Sequence, residues 1–125
     1  MDRKTDAELI QDAETEINRL MEGEPFDKEV ISSCAGKFRT ISMNGEGLKN
    51  NLPGLIPAID AAILEFYPHR GIWDDVHRSE LLNKYISILE RIINEDPVEI
   101  DEMKKALAFC AAVRTGFEKF QEKSP

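Results

Sequence analysis

Helical periodicity is the feature that most limits the folds open to this chain of 125 residues. Apolar residues recur every three or four positions in five segments, and the alternation typical of strands is absent from the sequence. Glycine and proline separate the segments, as expected of residues that interrupt helices. The pattern predicts an all-α fold, a compact bundle of about five helices over approximately 6–22, 28–43, 54–67, 80–94 and 97–121.

The first two helices carry the clearest start and stop signals. Thr5 followed by Glu8 has the spacing of a capping box, which satisfies free backbone N–H groups at a helix start. Gly23 predicts the end of the first helix, because glycine readily adopts the left-handed conformation found after helices. Asp27 is the expected N-cap of the second helix.

The starts of the fourth and fifth helices are harder to place. If the fourth helix extended backwards from Leu81, Arg78 would point into its apolar arc, where an unpaired guanidinium is costly. We therefore expect a break near Ser79, with Ser79 as the N-cap. Asp96 followed by Pro97 predicts a cap and the first residue of the fifth helix.

The fifth helix is the longest, and apolar residues cover about half of its circumference at the helical period. A helix that contacts several neighbours needs such a wide arc, so we expect it to be the most central one. The alternative is that part of the arc forms a homodimer interface or a groove for a partner helix.

Length and composition predict one helical domain spanning 1–125. The chain is 42% hydrophobic, which is too much for a disordered tail, and no apolar run reaches the roughly 20 residues of a membrane span. The N-terminus lacks the apolar stretch of a signal peptide. Cys34 and Cys110 lie on apolar helix faces and belong to no CxxC pair. We therefore expect buried thiols, a cytoplasmic location and no structural zinc.

The chain has 24 acidic and 16 basic residues, a net charge of −8, which disfavours nucleic acid as a partner. A nucleic-acid interface would have to be built around Lys37, Arg39 and Lys49, which are too few for useful affinity for the phosphate backbone.

The acidity is uneven along the sequence, since residues 2–29 carry a net charge of −6. On the first helix Glu8, Asp12 and Glu16 repeat every four residues, a spacing at which like charges repel. The stripe is either an ordinary solvated face or a docking face for a protein partner with a basic surface.

The segment 67–78, YPHRGIWDDVHR, holds both histidines and the single tryptophan of the chain. Aromatic residues and arginine together are typical of interaction hot spots. The segment therefore supplies candidate contacts to a partner, unless it is only a structural connection. The candidates are Tyr67, His69, Arg70, Trp73, Asp74, Asp75, His77 and Arg78.

The same segment raises an enzymatic alternative, because histidine near carboxylates is suited to acid–base catalysis. Arg70 and His77 are separated by six residues, a spacing similar to the R-x(4–6)-H pair of HEPN ribonucleases, which are helical domains of similar length. That resemblance implies a ribonuclease with Arg70 and His77 in catalysis. The chain departs from the family in placing Gly71 directly after the arginine.

No metal or cofactor is expected. Asp74, His77 and Glu80 follow one another at intervals of three, but ligands from one short segment rarely complete a metal site. The glycine-rich stretch 45–54 lacks the GxxxxGK[ST] pattern of a phosphate-binding loop and follows a helix, not a strand.

The sequence as a whole favours a small acidic interaction protein without catalysis of its own. Adaptors, regulators and inhibitors of a protein partner belong to this class, including inhibitors encoded by mobile elements. The alternatives are an enzyme with its site at 67–78 and, against the charge, a nucleic-acid binder.

Overall fold

A computed structural model describes residues 5–43, 54–67 and 71–123, and these residues form five helices and no strand. The helices are α1 (Asp6–Met21), α2 (Lys28–Met43), α3 (Leu55–Phe66), α4 (Asp75–Ile93) and α5 (Ile100–Lys123). The predicted all-α bundle is confirmed, and the ends of α1, α2 and α3 agree with the sequence to within one residue. None of these helices is long and apolar enough to cross a membrane.

Four of the helices form a closed ring. α1 packs against α2, α2 against α4, α4 against α5, and α5 against α1, while α3 packs mainly against α5. Neighbouring helices run antiparallel. This is shown for α1 and α2 by the ion pair of Lys37, near the end of α2, with Asp6, at the start of α1, at 2.8 Å. Likewise, the Ser79 hydroxyl near the start of α4 donates to the Ser42 carbonyl near the end of α2. The result is an antiparallel four-helix bundle with one added helix.

The predicted central position of α5 is confirmed, since α5 contacts α1, α3 and α4. Phe109 of α5 is fully buried, stacks on Tyr85 of α4 with ring centroids 4.3 Å apart, and meets Phe38 of α2 edge-on at 5.5 Å. These contacts explain why half of the α5 surface is apolar. The arc is occupied by the chain's own helices, so a second copy is not needed to cover it.

α3 and α5 approach each other closely at Gly116. A Cβ atom added there would lie 2.6 Å from the Ile59 Cα, well inside contact distance. Glycine is therefore required at this position by the spacing of the two helix backbones. At Gly36 of α2, by contrast, an added Cβ would meet nothing within 4 Å.

The turns α1–α2 and α4–α5 share a sequence pattern and a geometry. Their sequences are RLMEGEPFD and RIINEDPVE. In the first turn Gly23 has φ +76°, its N–H donates to the Leu20 carbonyl, and the next N–H donates to the Arg19 carbonyl. In the second turn Glu95 takes the same place with φ +61° and the same two bonds, to Ile92 and Arg91. Both turns thus close with a Schellman motif.

The predicted start of α5 at Pro97 is wrong, because the helix begins three residues later at Ile100. The second turn needs an extended stretch after its left-handed residue, and this stretch brings Val98 against the core. Glu99 then occupies the capping position, and its carbonyl accepts the first helical hydrogen bond from the Met103 N–H at 3.1 Å. Asp27 precedes α2 in the equivalent place, and its side chain caps α2 as predicted by accepting from the Glu29 N–H.

The predicted break at Ser79 is also wrong. α4 begins at Asp75 and runs unbroken through Ser79, with Asp74 as the N-cap. Arg78 is consequently carried into the interior, where its side chain is only 1% exposed. The prediction failed because it assumed an unpaired guanidinium, whereas this one is paired with two carboxylates.

Candidate functional site

Tyr67, the first residue of the predicted partner-binding segment, takes part in packing. Its hydroxyl donates to the Lys105 carbonyl of α5 at 3.0 Å, and its ring lies 5.9 Å from that of Phe109. Burial, followed by the neighbouring Tyr85, raises the pKa of Tyr67 above its ordinary value. Tyr67 therefore fastens the end of α3 to α5.

Asp74 and His77 form the cap of α4. Asp74 Oδ1 accepts from the His77 N–H at 3.0 Å and lies 2.7 Å from His77 Nδ1. These hydrogen bonds from His77 lower the pKa of Asp74 below its ordinary value. His69 and Arg70 lie outside the described residues, so the pairing of Arg70 with His77 that the ribonuclease resemblance implies stays a prediction.

Arg78 links two helices from inside the bundle. Its Nη1 donates to Asp60 of α3 at 3.1 Å, and its Nη2 lies 2.8 Å from Asp75 Oδ1, one turn earlier on α4. Its Nε is buried and has no hydrogen-bond partner within the described ranges. The three residues together tie α3 to the start of α4, which is a structural role.

The remainder of the segment presents some apolar surface. Trp73 is half-buried and packs against the core, whereas Ile72 and Val76 are 75% and 62% exposed. The use of this segment by a partner stays a prediction, with its exposed apolar atoms now located at the start of α4.

The predicted acidic stripe on α1 is less exposed than its spacing suggests. Glu8 is exposed and Asp12 half-exposed, but Glu16 is buried. The Glu16 carboxylate accepts from the Asp27 N–H at 2.7 Å and pairs with Arg19 at 3.2 Å, so it joins α1 to the start of α2. The exposed part of the stripe is reduced to two carboxylates.

The strongest concentration of charge lies instead where the two turns meet. Lys28 at the start of α2 pairs with Glu95 in the second turn at 2.8 Å, which shows that both turns lie at the same end of the bundle. Residues 16–29 and 90–102, here called the acidic end, contain eleven acidic and three basic residues. The acidic end therefore carries the full net charge of −8, and the remainder of the chain is neutral.

Part of this charge is compensated from outside the acidic end, since Glu90 pairs with Arg39 of α2 at 3.0 Å and Lys105 of α5 interacts with Glu102. The three basic residues of the acidic end are each paired within it, Arg19 with Glu16, Lys28 with Glu95 and Arg91 with Glu102. These pairs are reflected in pKa values below the ordinary one for Glu95 and Glu102, caused mainly by hydrogen bonds from Lys28 and Arg91 respectively.

Two exposed carboxylates of the first turn lie close together. The pKa of Glu22 is raised above its ordinary value, first by a hydrogen bond with Glu24 and then by repulsion between the two charges. Two like charges held this close together are a local source of instability, and a cationic partner would relieve it.

A partly enclosed cavity of about 280 Å³ lies between the two turns. Its wall is apolar and its rim is acidic, with Glu95 and Asp96 at the edge. The apolar lining comes from α1, α4, α5 and both turns, namely Leu20, Phe26, Ile92, Val98 and Met103. A shallower and wider cavity of about 550 Å³ shares Phe26 and continues along the first turn.

Sequence reasoning did not locate this site, because Glu16 is the only predicted docking residue that belongs to the acidic end. The acidity of residues 2–29 was evident, but the contribution of 90–102 depends on the antiparallel ring, which brings two turns 72 positions apart to one end. The repeated pattern of arginine, two apolar residues, acidic residues and proline in the two turns was the available signal.

Within the described residues, no group of three or more histidine, cysteine, aspartate or glutamate side chains is placed to hold a metal ion. No protein-family model, no curated protein and no solved structure matches the chain. We therefore infer the function from the geometry of the chain itself.

Proposed function

We propose that the chain is a small acidic interaction protein, an adaptor, regulator or inhibitor, that binds a basic surface of a protein partner through the acidic end. The observation that carries the proposal is the position of the whole net charge of −8 at one end of the bundle, around an apolar cavity.

The two properties have complementary effects on binding. A localised negative field attracts a basic partner over about one Debye length, roughly 8 Å at physiological salt, and accelerates association. Burial of apolar surface in the cavity then contributes affinity that salt does not screen. Repulsion between Glu22 and Glu24 costs stability in the free protein, which is understandable if a partner's positive charge relieves it.

The two cysteines support a reducing compartment such as the cytoplasm as the place of action. Cys34 and Cys110 are both buried and unbonded, although they interact with each other across the core. Two cysteines in contact remain thiols in a reducing compartment, which is the setting that this proposal assumes.

The test is affinity capture of the tagged protein from its own cell extract, with two variants of equal charge change. We expect Glu22→Gln with Glu24→Gln to lose a partner that Glu8→Gln with Asp12→Asn retains, and raised salt to weaken the capture. Equal capture by both variants, or loss only with the second, would contradict the proposal. The second result would assign docking to the α1 stripe.

A second copy of the chain is the competing partner for any exposed apolar surface, including the homodimer through α5 considered from the sequence. Sedimentation equilibrium over a wide range of protein concentration decides between them. We expect a monomer, because the acidic ends of two copies repel each other.

A further inference from the structure

We propose that the 280 Å³ cavity between the two turns binds one large apolar side chain of the partner, held in a segment that carries basic residues on both sides of it. This inference rests on the proposed function and specifies the chemistry of the segment that binds.

The size of the cavity sets the size of the occupant. A volume of about 280 Å³ lies just below the range of small-molecule sites, and it suits one large side chain better than a whole helix face. Ile92 and Met103 at its base are 2% and 9% exposed, whereas Leu20, Phe26 and Val98 on its walls are half-buried. A side chain entering the cavity would thus contact apolar atoms on several sides, which is the usual environment of an interface anchor.

The charges around the opening determine which residues can flank the apolar side chain in the partner's segment. The cavity lining itself includes Glu95, which pairs with Lys28, and the exposed Asp96. Two further exposed carboxylates are close in sequence to lining residues, since Glu24 precedes Phe26 by two positions and Glu99 follows Val98 directly. A segment that crosses the opening therefore passes carboxylates before and after its apolar residue. Lysine or arginine at those places would gain attraction, whereas acidic residues would be repelled.

The apolar surface extends beyond the cavity in one direction. Ile100, the first residue of α5, is 56% exposed and follows Val98 by two positions. It lies between the exposed acidic residues Glu99 and Asp101. A partner segment that continues past the cavity along this turn would find a second apolar contact bordered by negative charge.

The test uses three synthetic peptides, each titrated into the isotope-labelled full chain and followed by two-dimensional NMR. The first is Lys-Arg-Leu-Arg-Lys, the second replaces the leucine by serine, and the third is Glu-Glu-Leu-Glu-Glu. We expect the leucine peptide to shift the resonances of the cavity wall and to bind about tenfold more tightly than the serine peptide. The acidic peptide should not bind.

The outcomes separate this inference from the proposed function. If the serine and leucine peptides bind the acidic end equally, the proposal that an apolar side chain enters the cavity is overturned. The acidic end then remains a binding site for a basic partner. If neither basic peptide shifts residues of the acidic end, both proposals are overturned.

A variant tests whether the leucine side chain of the peptide binds in the cavity. Val98→Trp fills the cavity without changing a charge, so it should remove the advantage of the leucine peptide and leave binding of the serine peptide unchanged. A leucine advantage that persists in this variant overturns the cavity as its site. Since the peptides are first compared on the unaltered protein, the test stands even if the variant folds poorly. Self-association that Val98→Trp abolishes would assign the cavity to a second copy and overturn the proposal.

Discussion

At the scale of single residues, Arg78 decides how the start of α4 is built. Burying a guanidinium costs several kcal/mol, and the cost is offset only if carboxylates are held within reach. Asp60 on α3 and Asp75 on α4 provide them at 3.1 and 2.8 Å. Apolar periodicity alone placed Arg78 in the core arc correctly, but it could not reveal the partner on another helix, and so it predicted a break that does not exist.

Removing Asp60 should leave this buried charge only partly paired. We expect Asp60→Ala to lower the free energy of unfolding by about 3 kcal/mol, the usual cost of breaking a buried ion pair from one side. Asp75 is 59% exposed, so Asp75→Ala should cost about 1 kcal/mol or less. Urea unfolding of both variants measures the difference. Equal losses would mean that the interhelical pair is not the dominant one.

The repulsion between Glu22 and Glu24 predicts an unusual pH dependence. Because the folded-state pKa of Glu22 is raised, its ionisation opposes folding at neutral pH. The penalty is lost as the pH falls through the raised folded-state pKa, and it is absent below the ordinary value of 4.5. Glu22→Gln should therefore raise the melting temperature at pH 7 and have a diminishing effect as the pH falls.

Glu102 provides the opposite case for comparison. Its pKa is lowered by the hydrogen bond from Arg91, so its ionised form stabilises the fold above its unfolded pKa, and the contribution is lost as the pH falls through the folded value. Glu102→Gln should lower the melting temperature at pH 7 but not at low pH. Shifts of the same sign in the two variants at pH 7 would contradict this account.

Cys110 should be chemically silent in the folded protein. A hydrogen bond with Cys34, followed by burial, raises its pKa well above the ordinary thiol value, and both side chains are at most 1% exposed. Since the thiolate is the reactive form, we expect no reaction with Ellman's reagent until the chain unfolds. Rapid labelling of either thiol in the native protein near pH 8 would refute the predicted burial.

At the scale of helices, sequence signals were sufficient wherever the determinant was local. Thr5 caps α1 by accepting from the Glu8 N–H at 3.1 Å, Asp27 caps α2, and Gly23 ends α1, all as predicted. The start of α5 was misplaced because Asp96 with Pro97 resembles a cap, whereas the turn needs an extended stretch that places Val98 on the core. That requirement comes from packing and not from local propensity.

The contact of α3 with α5 provides a prediction with a matched control. Alanine normally stabilises a helix interior by about 1 kcal/mol relative to glycine. At Gly116 the new methyl group would meet the Ile59 backbone at 2.6 Å, so Gly116→Ala should instead destabilise by about 1–3 kcal/mol. Gly36→Ala on α2 should stabilise by about 0.5–1 kcal/mol, because its surroundings are open. Thermal unfolding of both variants gives the signs, and stabilisation by Gly116→Ala would exclude the close approach.

At the scale of the whole molecule, the antiparallel ring brings two acidic stretches of the chain together, so that the net negative charge lies at one end of the bundle. Residues 16–29 and 90–102 are far apart in sequence, yet the pair of Lys28 with Glu95 joins them at one end. The sequence indicated acidity near the N-terminus and attributed it to a face of α1. It could not indicate that Glu16 turns inward or that a second acidic turn lies beside the first, since both depend on tertiary contacts.

The central claim is that a partner binds at the acidic end. It is tested most directly by mapping the surface that a captured partner covers. The measurement is the change in backbone NMR resonances of the isotope-labelled protein when the purified partner is added. We predict changes concentrated in residues 16–29 and 90–102, weakened by salt and by Glu22→Gln with Glu24→Gln. Changes centred on residues 71–78, or on the exposed face of α1 around Glu8 and Asp12, would contradict it.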